Sequence, residues 1–190
     1  MIFDSPILCL VTNQIRSKID DTLETIESVT SCGVNMIQVR EKSMPVEDLL
    51  DYVKKIHVIK NDSLLIVNSN IQVNQFVDID GIHLPESTEK LDDFIHTQLI
   101  VGQSVHSIEA ARIAYSNNVD YLIAGTIFPS KSHPDGVLTG TKLIEQIKNE
   151  LDIPVIGIGG INHMNVKDVM NAGANGIAVI GSILEDRNPV

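Results

Sequence analysis

The chain has 190 residues, 43% of them hydrophobic, and a formal net charge of −11. This charge argues against binding to nucleic acid or to an anionic membrane surface, because both call for a basic patch. No apolar run approaches the roughly 20 residues of a membrane helix, and the start of the chain lacks the pattern of a signal peptide. We therefore expect one cytosolic domain over residues 1–190, with Cys9 and Cys32 as buried, unpaired thiols.

Short apolar segments rich in β-branched residues alternate with longer segments of helical periodicity. Strands that are apolar throughout are typical of parallel sheets covered on both faces. The predicted strands span residues 7–12, 34–39, 64–67, 81–84, 99–102, 121–124, 154–158 and 176–180. The predicted helices lie near residues 19–32, 45–60, 70–77, 88–96, 107–117, 140–150 and 162–172. This alternation predicts an α/β protein, a single (β/α)8 TIM barrel, with a doubly wound open sheet as the alternative.

Helix ends are marked by residues with known end preferences. Ser107 and Asn162 are predicted to cap the helices that follow them, and Gly33 and Gly173 stand just past two helix ends. Only residues 181–190 follow the eighth strand, so we predict a truncated final helix. Either that helix is very short, or a second subunit of a homo-oligomer covers the barrel there.

The second strand ends in an unusual polar run, Gln38-Val39-Arg40-Glu41-Lys42. Alternate side chains of a strand share a face, so Gln38, Arg40 and Lys42 can point together into the mouth of a barrel. The guanidinium and ammonium groups are suited to an anionic group of a ligand. An exposed polar strand end is the simpler alternative.

Glycines follow the last two strands, in Gly157-Ile158-Gly159-Gly160 and in Ile180-Gly181-Ser182. Glycine lets the backbone approach a ligand closely, and barrels often bind a phosphate between these two loops. We therefore predict a phosphate site there, although glycines also serve tight turns alone.

Six motifs in one order make the pattern specific: Val11-Thr12, Gln38-Val39-Arg40-Glu41-Lys42, Gly81-Ile82-His83-Leu84, Gly102-Gln103-Ser104-Val105-His106-Ser107, Gly125-Thr126-Ile127-Phe128-Pro129-Ser130 and Ile158-Gly159-Gly160-Ile161. Together they resemble the thiamine phosphate synthase family, which includes the thiazole tautomerase branch called TenI. The resemblance runs from Leu10 to Ile183 and implies a (β/α)8 barrel. In that family the synthase joins a pyrimidine diphosphate to a thiazole phosphate, using Mg²⁺ and releasing pyrophosphate.

The resemblance also implies roles for individual residues. Gln38, Arg40 and Lys42 match positions that contact the pyrophosphate. Asn68 matches a residue that contacts the pyrimidine, and Ser104 matches an active-site serine of strand five. The hydroxyls after strand six and the thiazole-phosphate loops are matched by Ser130, Ser132, Gly160, Ile180, Gly181 and Ser182.

This chain departs from the synthase pattern at three places. Where the synthases read Asn-Asp after strand three, this chain reads Asn68-Ser69, and Glu86 stands in a shifted position for the acid after strand four. Those two acids hold Mg²⁺ in the family. His133 stands where the loop after strand six supplies a Lys. We therefore expect no cofactor, unless the chain is a synthase in which Glu86 helps to hold Mg²⁺.

The tautomerase branch is the nearer match. It also lacks the acidic pair, and it also reads Leu-Pro after strand four and Ser-Val-His-Ser at strand five. Its histidine after strand six is replaced by Thr126, so His133 or His83 is expected to act as the acid or base. His106 is expected to serve the helix start after strand five.

Three hypotheses follow. The first is a TenI-like protein that binds a small-molecule thiazole phosphate and tautomerises it. The second is a Mg²⁺-dependent thiamine phosphate synthase. The third is a non-catalytic, regulatory barrel that binds a phosphorylated ligand.

Overall fold

The computed structural model describes residues 3, 5–88, 98–131 and 137–186. Within these ranges, eight strands alternate with six α-helices and one 3₁₀ helix. The strands are β1 (Ile7–Val11), β2 (Met36–Val39), β3 (Leu64–Asn68), β4 (Gly81–Leu84), β5 (Ile100–Val105), β6 (Tyr121–Ala124), β7 (Val155–Ile158) and β8 (Gly176–Val179). The α-helices are α1 (Ile19–Thr30), α2 (Val46–Ile59), α3 (Ile108–Ser116), α4 (Lys142–Glu150), α5 (Val166–Asn171) and α6 (Gly181–Leu184); the 3₁₀ helix is Ile71–Gln75.

The eight strands form a closed parallel barrel in the order of the sequence. β1 closes it, since Cys9 pairs with Met36 of β2 on one side and with Ala178 of β8 on the other. The predicted (β/α)8 barrel is confirmed, and the open-sheet alternative is wrong. No helix in the described ranges is long and apolar enough to cross a membrane.

Alternation along each strand divides the core into two clusters. Outward-facing strand residues pack against the helices, whereas inward-facing ones such as Cys9, Met36 and Ile66 fill the barrel. Tyr121 lies fully buried across the interior, and Gly102 makes room for it: a Cβ at Gly102 would lie 2.1 Å from Tyr121 Cζ. These side chains fill the described part of the barrel interior below its mouth.

Several helices differ from the sequence predictions. The predicted helix at 70–77 is the short 3₁₀ helix, and most of the predicted helix at 88–96 falls outside the described residues. The helix predicted after Asn162 begins only at Val166, because the Asn162 and Asn165 side chains accept backbone hydrogen bonds that hold residues 162–165 in a turn. The predicted cap at Ser107 is confirmed, and α6, with four residues, is the predicted truncated final helix.

Strand five and one cysteine also differ from prediction. β5 continues through Val105, beyond the predicted end at Gly102, so Ser104 is a strand residue. Cys9 is buried and burial raises the pKa of its thiol to about 12, but Cys32 is exposed, so the prediction of two buried thiols is wrong.

Candidate active site

A cavity of about 920 Å³ opens at the carboxyl ends of the strands. This is the end at which barrels of this type hold their ligands. Every predicted site residue that the structure describes lines this cavity: Gln38, Arg40, Lys42, Asn68, His83, Ser104, Ser130, Gly160, Ile180, Gly181 and Ser182. His133 and Ser132 lie outside the described residues.

The floor of the cavity has a polar half and an apolar half. The polar half comes from inward-facing side chains near the ends of β2 to β5, namely Gln38, Asn68, His83 and Ser104. The apolar half comes from Ile123, Ile158 and Ile180 at the other side of the barrel. Such a floor suits a ligand with one polar, hydrogen-bonding part and one apolar part.

Hydrogen bonds fix the amides of the polar half. Asn68 Nδ2 donates to Gln38 Oε1 at 3.1 Å, and the Ser69 hydroxyl donates to Asn68 Oδ1 at 3.0 Å. Gln38 Nε2 is buried and has no acceptor among the described residues. A buried donor without an acceptor is unfavourable, so a small rotation of Gln38 toward a ligand oxygen in the cavity would relieve that cost.

His83 lies at the centre of the polar half, 1% exposed. Its Nε2 is 2.8 Å from the Ser104 hydroxyl, and its Nδ1 is 3.2 Å from the Tyr121 hydroxyl. Burial, with a smaller contribution from the charge of Arg40, lowers the pKa of His83 to about 3. The imidazole is therefore neutral near pH 7 and holds the Ser104 hydroxyl in place.

The lowered pKa of His83 predicts a loss of stability in mild acid. The unfolded chain binds a proton to this histidine below about pH 6.5 and the folded chain does not, so stability falls as the pH drops from 6.5 toward 3. Urea unfolding should show that His83 accounts for about 2 kcal/mol of stability lost between pH 6.5 and pH 5. His83→Gln should lack this contribution, whereas the exposed His163→Gln should keep it. Identical pH dependence in the wild type and His83→Gln would contradict a neutral, buried His83.

The loop after β1 fixes the polar end of β2. The backbone N–H of Arg40 donates to the buried Thr12 hydroxyl at 3.1 Å, and Glu41 Oε2 accepts a hydrogen bond from the Gln14 backbone at 3.0 Å. Burial lowers the pKa of the half-buried Arg40, while Glu41 opposes that shift. The guanidinium keeps its charge at any physiological pH, so a fixed cation and the exposed Lys42 stand at one side of the mouth.

The glycine loops follow β7 and β8, which lie three and two strands from β2 around the barrel. Gly160 has a φ of +60°, and a Cβ there would lie 2.4 Å from the Pro129 carbonyl oxygen of the loop after β6. The Ser182 hydroxyl donates to the Ile161 carbonyl at 2.6 Å, which joins the loops after β7 and β8. These contacts hold the backbone around Gly160 and around Gly181 and Ser182 at the edge of the cavity, where the glycines have no side chain.

Three charged residues that the sequence analysis did not single out also line the cavity. Arg16 follows β1, Lys131 follows β6 and Glu185 follows α6, and Glu185 pairs with both cations. Arg16 stands outside every motif of the sequence, and only the neighbouring Ser130 pointed toward Lys131. These residues are far apart in the sequence, and closure of the barrel brings them together.

Glu86 supplies a carboxylate at the mouth, after β4. Its Oε2 accepts hydrogen bonds from the backbone N–H and the Nδ1 of His106, both at 2.7 Å, so His106 binds Glu86 and leaves the helix start to Ser107. The described residues contain no group of three His, Cys, Asp or Glu placed to hold a metal ion. Mg²⁺ is often held by one or two carboxylates together with substrate phosphates. Glu86 therefore fits an ion that arrives with a diphosphate, but not an ion held by these side chains alone.

The family model and the following relatives at 30% identity or more point to one family. The family model described as thiamine monophosphate synthase matches residues 8–183. The thiamine-phosphate synthase of Clostridium acetobutylicum is 35% identical over 182 residues, which cover 93% of this chain and 86% of that protein. A putative thiamine-phosphate synthase 2 of Aquifex aeolicus is 33% identical over 170 residues, covering 87% and 91%. The solved structure of a thiamine phosphate pyrophosphorylase from Pyrococcus furiosus superposes with a TM-score of 0.84 at 30% identity, over 96% of this chain and 89% of that one.

Proposed function

This chain belongs to the thiamine monophosphate synthase family, and we propose that it joins a pyrimidine diphosphate to a thiazole phosphate with release of pyrophosphate. The observation that carries the proposal is that one cavity has candidate anion-binding groups at two separate places. Arg40 and Lys42 follow β2, the glycine loops follow β7 and β8, and Arg16 follows the intervening β1. A reaction between a diphosphate and a monophosphate needs two such places, whereas a tautomerase of one thiazole phosphate needs one.

In this proposal the β2 side binds the diphosphate. Arg40 can form paired, charge-assisted hydrogen bonds with phosphate oxygens, and Lys42 adds a second positive charge. Gln38 contributes the amide donor that has no acceptor in the described residues. Asn68 contacts the pyrimidine ring, and the Ser104 hydroxyl, oriented by His83, contacts the reacting region.

The loops after β7 and β8 bind the phosphate of the thiazole. Gly160, Ile180, Gly181 and Ser182 present backbone to the cavity, and Ser130 adds a hydroxyl. The neighbouring apolar half of the floor, Ile158 with its partners, suits the thiazole ring. Ser132 is proposed as a further hydroxyl of this loop.

The relatives described above carry the name of the synthase, and this favours the synthase over the tautomerase that we expected first. The site supports the same choice. Thr126 replaces the tautomerase histidine, and a threonine hydroxyl does not ionise near neutral pH, so it is a poor general acid or base. The lowered pKa of His83 favours a positioning role over proton transfer. A catalytic role of His133 stays a prediction.

The proposed reaction uses Mg²⁺ bound together with the diphosphate. When bound, the ion neutralises negative charge on the departing pyrophosphate. Glu86 is the carboxylate that would hold it, and His106 fixes the orientation of Glu86. Arg40 and Lys42 would stabilise the same charge directly, so part of this stabilisation does not depend on a metal ion.

The test is the dependence of product formation on both substrates. The purified protein is incubated with Mg²⁺ and with the pyrimidine diphosphate, the thiazole phosphate, or both, and thiamine phosphate is measured by chromatography. We expect product only with both substrates, and initial rates that saturate with each. Binding of both ligands without any turnover would contradict the proposal and favour a non-catalytic barrel.

A further inference from the structure

The side chains of Arg16, Lys131 and Glu185 meet at the edge of the cavity, beside the loop after β8. The Arg16 guanidinium pairs with one oxygen of the Glu185 carboxylate, and Lys131 Nζ lies 3.4 Å from the other. Arg16 and Glu185 are 169 positions apart in the chain, so this contact joins the two ends of the described barrel.

These side chains lie directly over the loop after β8. A Cβ placed on Gly181 would be 3.3 Å from Arg16 Nη1 and 3.3 Å from the Glu185 carboxyl carbon. The Arg16 side chain is only 13% exposed, so its charge is partly shielded from water. A cation held this close to bare backbone, at the edge of a cavity, is placed for an anion in that cavity.

The charges in this cluster do not balance. One carboxylate is shared by two cations, which leaves a net positive charge of one. A phosphate monoester brings more negative charge and three acceptor oxygens, and a guanidinium binds such a group with paired hydrogen bonds. Glu185 is 35% exposed and follows a helix of only four residues, so its side chain can turn outward toward water.

We propose that the substrate phosphate binds to Arg16 and Lys131. In the empty site the Glu185 carboxylate pairs with these two cations, and the incoming phosphate displaces this carboxylate. Arg16 and Lys131 are then ligands of the phosphate at the loop after β8, and Glu185 lowers the affinity of the empty site for anions. This inference rests on the proposed function for the identity of the phosphate ester, but the anion site itself does not depend on it.

The experiment compares variants for binding of inorganic phosphate by calorimetry and for the KM of the thiazole phosphate. Glu185→Gln should bind phosphate roughly three- to ten-fold more tightly, because a competing carboxylate is removed. Arg16→Met should bind it at least about ten-fold more weakly, because a partly buried charge-assisted contact is lost. The double variant should resemble Arg16→Met. Glu150→Gln, which removes the carboxylate partner of Arg112 on the outer surface, should leave both values unchanged.

The proposal is decided by whether Glu185→Gln strengthens or weakens phosphate binding. Weaker phosphate binding in this variant would show that Glu185 only braces Arg16, and would overturn the proposal. If the variant does not fold, Lys131→Met tests the same cluster at an 84% exposed residue, and unchanged phosphate affinity there would overturn it. The wild type could form no thiamine phosphate while Glu185→Gln still binds phosphate more tightly and Arg16→Met more weakly. That result would contradict the proposed function but support the displacement of Glu185 by phosphate.

Discussion

Arg40→Ala is expected to lower kcat/KM for the pyrimidine diphosphate by roughly 100- to 1,000-fold. Arg40 is half-buried, is anchored through its backbone to Thr12, and lines the cavity where we propose that the diphosphate binds. The leaving pyrophosphate gains charge as its bond to the pyrimidine breaks, so a fixed guanidinium stabilises the transition state more than the bound substrate. The measurement is the initial rate of thiamine phosphate formation against the concentration of each substrate.

Two controls separate charge from packing. Arg40→Lys keeps the charge but loses the paired hydrogen bonds, and should recover only part of the activity. Arg112→Ala removes an arginine from the outer surface, where it pairs with Glu150, and should leave the activity unchanged. A loss smaller than about five-fold in Arg40→Ala would contradict a direct role at the diphosphate, since a charge-assisted hydrogen bond is worth more than that.

Gly160→Ala is expected to destabilise the fold and to abolish phosphate binding. The φ of Gly160 is +60°, which is unfavourable for alanine. The Cβ of an alanine at this position would lie 2.4 Å from the Pro129 carbonyl oxygen. The backbone penalty is about 1–2 kcal/mol, and the crowding adds about 1–3 kcal/mol. Urea unfolding gives the loss of stability, and calorimetry with phosphate gives the loss of binding.

Gly140 supplies a matched control. Its φ of +64° is nearly the same, but the nearest atom to its Cβ would be 4.0 Å away. Gly140→Ala should therefore show only the backbone penalty of about 1–2 kcal/mol and should still bind phosphate. Equal effects at the two glycines would mean that the close contact between the loops after β6 and β7 has no special importance.

The architecture could be predicted because strand and helix patterns alternate through the whole chain. The apolar runs of β1 and β6, for example, require cover on both faces, and this led to a barrel. The apolar run alone predicted β5 only as far as Gly102, and the family resemblance was needed to place Ser104 on that strand, because a polar residue that faces the cavity interrupts the apolar pattern. The turn before Val166 was missed for a similar reason: Asn162 is a good cap residue, but its side chain holds a turn that precedes the helix.

The candidate site could be predicted where one segment carries the signal. Arg40 follows a strand and Gly160 precedes a helix, and each belongs to a local motif. The contacts of Arg16 with Glu185 and of His83 with Tyr121 join distant segments, so their existence depends on barrel closure. The charge state of His83 likewise follows from burial, which no local pattern reports.

One measurement tests most directly whether this pocket joins two substrates or isomerises one. The same preparation of the protein is given the two synthase substrates with Mg²⁺ in one reaction, and the carboxylated thiazole phosphate in another. We predict that thiamine phosphate and pyrophosphate appear in equal amounts in the first reaction, and that the thiazole in the second is left unchanged. Tautomerisation of the carboxylated thiazole phosphate, without any thiamine phosphate in the first reaction, would contradict the account.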